Sequence, residues 1–394
     1  MNRIHYFVYL SAFFVIYSLV ASFSLYKIHV IDYIVFLTIF TLFIHINSKK
    51  RIVLYTREGF YFLGGWGVVY LISAVTHGEF IGFGYLSFMI FGSVFLSLKF
   101  EYQRMIVTAF VWGLSFLLLL SIIEYIFLMV FNQGFFLGNV TRSTILRETY
   151  FSHYLFNIVR IDNLIVRFQF LANEPGLIGT LCGMLLFLTW RIEKARIPFY
   201  IFMVAGLISF SLAFYVLLAL FFIANGKMSI SKVVVLLFFA FGTLYLVQEK
   251  FNNLILERVM DNDDIDNRTS DTFEMYFDNS IRTGGIIFGE GTKKYKNVAE
   301  SSEGGNAGAK VWIFIYGIIS FIIIFMIYNV VYWRKCNKRL HYYDWIFLLA
   351  FWFSFYQRQT IYTPYTMIVL FSVPLFGNSM NKASTMLGKN RRTA

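Results

Sequence analysis

Apolar runs follow one another from end to end of this chain, separated by short charged loops. They do not alternate with period 2 as membrane strands do. They therefore predict helices that cross a membrane repeatedly, each needing about 20 apolar residues. The first spans are expected at 4–26, 28–46, 59–76, 80–98 and 105–131. The Lys/Arg-rich loops between them at 47–58 and 99–104 mark the cytoplasmic side, and the turn at His77-Gly78-Glu79 lies opposite. A sixth span covers 174–190, with Asn173 as its cap and Pro175 in its first turn, where the missing N–H costs nothing.

The rest of the topology follows from parity. Arg191, Lys194 and Arg196 mark one cytoplasmic loop, and Arg334, Lys335, Lys338 and Arg339 mark the next, after a span at 309–333. The polar stretch between them must lie outside, so 197–247 has to cross an odd number of times. One crossing is 233–247. The 28 residues of 197–224 would form a single helix of about 42 Å, against a hydrocarbon core of about 30 Å. That would make the count even. Two short helices broken near Ser209-Phe210-Ser211 make it odd, and such a break is tolerated where protein or a wet cavity surrounds it. Spans at 344–356 and 364–377 complete an all-α polytopic integral membrane protein. The expectation is a single transmembrane domain over 1–394, with about 12 transmembrane helices, two large periplasmic loops (132–173 and 248–308) and both termini cytoplasmic.

Composition supports the same reading: 58% of the 394 residues are hydrophobic, 14% charged, 21% aromatic with 48 Phe, and mean hydropathy is +0.65. A soluble domain carries about 25% charged residues. The net charge of +12 sits largely in the short cytoplasmic loops, so it sets topology and points to no nucleic-acid partner. The two cysteines, Cys182 and Cys336, offer neither a disulfide framework nor metal-ligand spacing.

Polarity gathers in the two outer loops. The first holds Arg142, Arg147, Arg160 and Arg167, against the positive-inside bias, and its aromatics (Tyr150, Phe151, Tyr154, Phe156) suggest a helix lying on the membrane surface. The second holds 12 of the 22 acids, with Arg268 and Arg282 and a Gly-rich stretch carrying Gly285, Gly289 and Gly291. Arginine grips phosphate oxygens bidentately, so these arginines with Arg358 are candidates for a large anionic ligand. The N–H groups at Gly289 and Gly291 could add to the site. Glu174, at the junction of loop and membrane helix, is the best general-base candidate, and a helix-start acid favoured by the dipole is the alternative. Glu124 within a span is a functional candidate by its position alone, or one half of a structural pair. His153 is the one histidine of the large outer loops and ranks low. Asp261-Asn-Asp263-Asp264-Ile-Asp266 fails the EF-hand pattern, so no metal and no cofactor are expected.

Along its whole length this organisation resembles the O-antigen and capsule repeat-unit polymerases of the Wzy type. The local motifs that carry the resemblance are short. Arg167-Phe-Gln-Phe-Leu-Ala-Asn-Glu174-Pro175-Gly176 is similar to that family's arginine-to-Glu-Pro entry, and Phe210-Ser211 followed by Tyr215 to its Ser-containing helix break. Leu212 stands where an Arg often follows that Ser. Ile287-Phe-Gly-Glu-Gly291 and Tyr316-Gly317-Ile318-Ile319 are similar to its Gly-rich turn and the start of its late helix.

The resemblance implies a metal-independent glycosyltransferase in the bacterial inner membrane. It would move a growing glycan from undecaprenyl pyrophosphate to the terminal sugar of a fresh lipid-linked repeat unit on the periplasmic face. Arg167 and Arg282 would stabilise the leaving pyrophosphate and Glu174 would deprotonate the acceptor. Membrane lipid surrounds such an enzyme, and the family leaves room for a chain-length regulator as partner. The related O-antigen ligases place a histidine in the second outer loop, which 248–308 lacks. A ligase and a flippase or transporter of lipid-linked oligosaccharide are the alternatives, the last disfavoured because charge within the spans is sparse.

Overall fold

A computed structural model describes residues 3–22, 24–50, 56–79, 83–131, 133–144, 147–160, 167–226, 270–301, 308–357 and 363–390. Five helices open the chain: α1 (Arg3–Tyr17), α2 (His29–Lys50), α3 (Arg57–His77), α4 (Phe83–Ser97) and α5 (Phe100–Phe131). A small sheet follows, β1 (Phe136–Thr144), β2 (Arg147–Tyr154) and β3 (Ile158–Arg160), and then α6 (Pro175–Arg191), α7 (Arg196–Ile208) and α8 (Leu212–Ala224). After residue 270 come α9 (Asp271–Thr283), a 3-10 turn (Gly285–Ile287), α10 (Gly291–Ser301), α11 (Ala309–Lys335), α12 (Tyr342–Gln357) and α13 (Pro364–Asn390).

The described residues are thus mostly helical, and four helical segments are long and apolar enough to cross a membrane: Val30–Ser48, Arg57–His77, Phe100–Phe131 and Ala309–Lys335. Shorter apolar helices fill the bundle between them. The expected span at 233–247 lies outside the described residues.

Two departures from the sequence reading concern the first large loop and the first span. The stretch that carries the loop's aromatics is not a surface helix. Residues 136–160 form an antiparallel sheet in the order β1-β2-β3, with Val140 opposite Phe151 and Phe151 opposite Arg160, so the chain is not purely α. The reason is its residues: β-branched and aromatic side chains alternate in burial, with Phe151 and His153 inward and Tyr150 outward, a period-2 pattern no helix can use. The first span also stops early. α1 ends at Tyr17, whose hydroxyl donates to the Tyr26 carbonyl and accepts from the Ile28 N–H, and so draws 26–28 back to the end of α1.

The expected break at 209–211 is present. α7 and α8 are each 13 residues, about 20 Å long, and both pack on α6. Trp190 of α6 packs tilted against Phe199 of α7 and edge-on against Phe221 of α8, whereas Gly179 of α6 abuts Ser209 and Ser211. α7 therefore runs antiparallel to α6, and α8 returns parallel to it. The pair is a helical hairpin with its tip against the first turns of α6.

Cross-element bonds fall into two groups. At one end, Arg334 pairs with Glu58 at 2.6 Å, Lys335 donates to Gln103, Arg104 donates to the Leu375 carbonyl, and buried Arg191 pairs with buried Asp344 at 2.8 Å. At the other end, Tyr17 of α1 bonds the Tyr26 carbonyl, Glu124 of α5 the turn after β2, Arg167 the α7–α8 tip, Glu79 of the α3–α4 turn the start of α10, and the Glu290 N–H the Phe314 carbonyl of α11. This sorting follows the two sides read from the loop charges: the first group holds the positions expected in the cytoplasm.

α11 carries a backbone kink at Gly317 (φ 87°). Before it, Val311, Phe314 and Ile315 form a small satellite core with Phe273 of α9 and Val298 of α10. After it, residues 318–335 give about 27 Å of helix, close to one bilayer core. The kink thus separates a module built with the second loop from a membrane-length helix.

Candidate functional site

Arg167 enters from the first large loop and reaches the tip of the α7–α8 hairpin. Its Nε donates to the Ser209 carbonyl at 3.2 Å and an Nη to the Phe210 carbonyl at 2.8 Å. Those carbonyls lie at the C-terminus of α7, where the helix leaves its last acceptors unsatisfied and its dipole favours a cation. Phe210 is held at φ 47°, a left-handed conformation that a bulky side chain rarely adopts, and the fork over its carbonyl helps fix it there. The backbone N–H of Phe168 adds a bond to the Ile208 carbonyl.

The stretch after Arg167 is driven inward: Phe168, Gln169, Phe170, Leu171 and Ala172 are all buried. Ala21 N–H donates to the Leu171 carbonyl at 2.7 Å and Ile158 N–H to the Phe170 carbonyl at 2.9 Å, tying this plug to the connection after α1 and to the sheet. Gly179 is what lets the tip approach, because a Cβ there would collide with Ser211. Gly176, Gly179 and Gly183 form a small-residue stripe on α6, a sequence signal for close helix packing that could have located the contact.

Glu174 rather than Asn173 is the N-cap residue of α6, with Pro175 at the first helical position. Its side chain does not cap the helix and is exposed. Asn173 instead accepts from the Ser22 N–H. Arg167 and Glu174 thus flank the buried plug.

The other arginines spread over the same end. Arg160 ends β3; its Nε is buried and has no hydrogen-bond partner among the described residues. Arg142 and Arg147 lie near the distal end of the β1–β2 hairpin, where Arg142 pairs in register with Thr149 and Arg147 with Thr144. Arg282 stands exposed in the last turn of α9. No bond joins it to Arg167 among the described residues; the two belong to different units. Arg268 and Arg358 lie outside the described residues.

Two acidic groups, Glu124 and Glu79, organise this end by accepting backbone N–H bonds. Buried Glu124 of α5 accepts from the N–H groups of Leu155 (3.1 Å) and Phe156 (2.8 Å) and from Asn157 Nδ2 (3.0 Å), and so anchors the turn between β2 and β3. His153 is wholly buried, bonded to Ser24 at 2.8 Å, and burial lowers its pKa. It is part of this anchoring and not an exposed acid–base group.

Glu79 in the α3–α4 turn accepts from the N–H groups of Thr292 (2.7 Å) and Lys293 (2.8 Å), at the start of α10. Burial pushes its pKa up, but these amides outweigh that and hold it below the ordinary carboxylate value. The donors are amides of the first turn of α10, not those of the glycines before it, and the anion they hold is the chain's own Glu79. Gly289 gives its N–H to the Gly285 carbonyl, and Gly291 sits beside Glu79 and His77. Gly289 (φ 89°) and Gly317 face each other backbone to backbone: a Cβ on either would strike the other segment, and the Glu290 N–H donates to the Phe314 carbonyl at 2.7 Å. The 3-10 turn thus plugs into the kink of α11. Burial raises the pKa of Glu290, but Lys294 at 2.6 Å and the Ser280 hydroxyl bring it down overall.

No group of three His, Cys, Asp or Glu side chains suited to a metal ion occurs among the described residues. Comparison with known proteins finds no match to this chain among family models, curated sequences or solved structures.

Proposed function

We propose that this protein is a polysaccharide polymerase of the bacterial inner membrane. It transfers a growing glycan from undecaprenyl pyrophosphate to the terminal sugar of a new lipid-linked repeat unit on the periplasmic face. The acceptor hydroxyl oxygen attacks the anomeric carbon, the bond from that carbon to the pyrophosphate oxygen breaks, and the pyrophosphate leaves with the electron pair. The hydroxyl proton passes to a base, with Glu174 as nominee. Arginine charge at the site stabilises the developing negative charge on the leaving group, as preorganised cations do in other transfers.

The observation that carries the reading is the position of Arg167. A cation from the first outer loop is fixed by two bonds at the tip of a broken helix pair. The tip belongs to helices about 20 Å long, so it lies below the level of a full span, within reach of a lipid-linked anion. Arg160, with its buried unbonded Nε, is in the same loop segment.

Deleting the gene and resolving the surface polysaccharide on a gel tests the activity. Single-unit caps in place of long chains are expected, and unaltered long chains would refute the reading. Loss of polymer from its normal acceptor would indicate a ligase instead, and units stranded inside a flippase. Arg167→Lys, which cannot reproduce a two-bond fork, is expected to reduce chain growth about 10- to 100-fold at unchanged membrane abundance.

A further inference from the structure

The β1–β2 hairpin opens on an apolar surface that the polymerase reading does not use. Between Arg104 and Arg142 the only charged residue is Glu124, and it points inward to the turn after β2. Phe116, Ile123, Phe127 and Val130 form the exposed face of α5, which has the length and hydropathy of a membrane span. Phe131 at the end of α5 is exposed as well, and so are Phe135, Phe136 and Leu137 a few residues on, with Phe135 72% exposed and Phe136 55% exposed. Leu25 of the neighbouring connection is exposed beside Gly138 and extends the patch.

Depth follows from helix geometry. α5 has 32 residues, about 48 Å, which is longer than a core of about 30 Å. Measured from Arg104, at the far end of the bundle, about 30 Å of rise ends at Glu124. The turn at 155–157 that Glu124 holds is therefore level with the boundary of the hydrocarbon core. The last two turns of α5 and the start of β1 rise about 10 Å beyond it, into the headgroup zone, and helix tilt lowers them further. Aromatic side chains concentrate at that level, and an apolar surface of this kind left in water would be unusual.

We propose that the start of β1, with Phe131, Phe135, Phe136 and Leu137, is a wedge seated in the lipid leaflet at the loop end of the bundle. The hairpin lies with its apolar base among headgroups and upper acyl chains, and its distal end, carrying Arg142 and Arg147 in the strands, faces away. The partner is the lipid surface itself. The wedge fixes the height of the sheet, and through Glu124 and the plug after Arg167 it fixes the loop relative to the membrane.

The test uses the full-length protein in phosphatidylcholine/phosphatidylglycerol vesicles, with Cys336→Ser to leave Cys182, which is fully buried. A nitroxide label is placed in turn at Phe135→Cys, Phe136→Cys and, as a control on the outward face farther along β1, Asn139→Cys. Collision with oxygen and with a water-soluble nickel chelate is then measured. Labels at 135 and 136 are expected to lie at headgroup depth and to favour oxygen over nickel, and the label at 139 to favour nickel. Nickel accessibility at 135 and 136 equal to that at 139 would overturn the proposal. Exclusion of both reagents, with or without spin coupling between copies, would also overturn it, because it would place protein rather than lipid on the patch.

Discussion

Glu79→Ala is the sharpest probe of how the second loop is held. The Glu79 carboxylate takes two charge-assisted bonds from the amides of Thr292 and Lys293, and it is the side chain that ties the α3–α4 turn to the start of α10. Such bonds contribute about 1.5–3 kcal/mol each when buried. Glu79 is partly solvated, which screens its charge, so about half that figure applies, or about 1.5–3 kcal/mol for the pair. If the α10 start opens by breaking this contact, Glu79→Ala should speed hydrogen exchange at the Thr292 and Lys293 amides by about 10- to 100-fold. Glu79→Gln keeps one acceptor oxygen but no charge and should fall between. The pH sign is fixed by the same bonds. The folded pKa is lowered, so the stabilisation is fully present above the ordinary value of 4.5 and is lost as pH falls through the folded value below it. Exchange mass spectrometry of the 291–301 peptide reads the effect. Exchange unchanged by Glu79→Ala, with the rest of the protein folded, would show that the satellite core and the Gly289–Gly317 crossing alone hold the unit.

Two further perturbations separate the ends of the bundle. Gly317→Ala adds a Cβ at φ 87° against the Phe288 backbone, so it should undock the 3-10 turn and destabilise the protein by about 1–3 kcal/mol; an unchanged unfolding midpoint would contradict the close approach. At the opposite end, Asp344→Asn leaves buried Arg191 without its 2.8 Å partner and should cost about 3–5 kcal/mol, whereas the double variant Arg191→Met/Asp344→Leu should recover much of the loss. Equal destabilisation of single and double variants by thermal unfolding in detergent would refute an uncompensated charge as the cause.

The sequence by itself determined that the chain is built of apolar helices and where one pair of them breaks, although α1 stops at Tyr17, short of the expected end. Apolar run length and loop charge are local quantities, and the break at 209–211 could be read without coordinates because parity and helix rise left few ways to place 28 residues. What it could not show was which polar groups are committed to the fold. Glu79, Glu124 and His153 look in sequence like a turn acid, a functional intramembrane acid and a surface imidazole. Tertiary structure makes them the anion on α10, the anchor of the sheet and a buried donor–acceptor partner of Ser24. Gly289 and Gly291, read as an anion cradle, serve a backbone crossing and the approach of Glu79, because a hydrogen-bond partner 213 residues away leaves no trace in local sequence. The strands of 136–160 were hidden for a different reason: their alternation is short and aromatic, and only contact with the connection after α1 and with α5 decides that its buried face is a sheet face. Arg167 stands between the two cases. Its presence at a helix mouth was legible, but its two carbonyl partners come from a helix break 42 residues on, and only the folded hairpin brings them within reach.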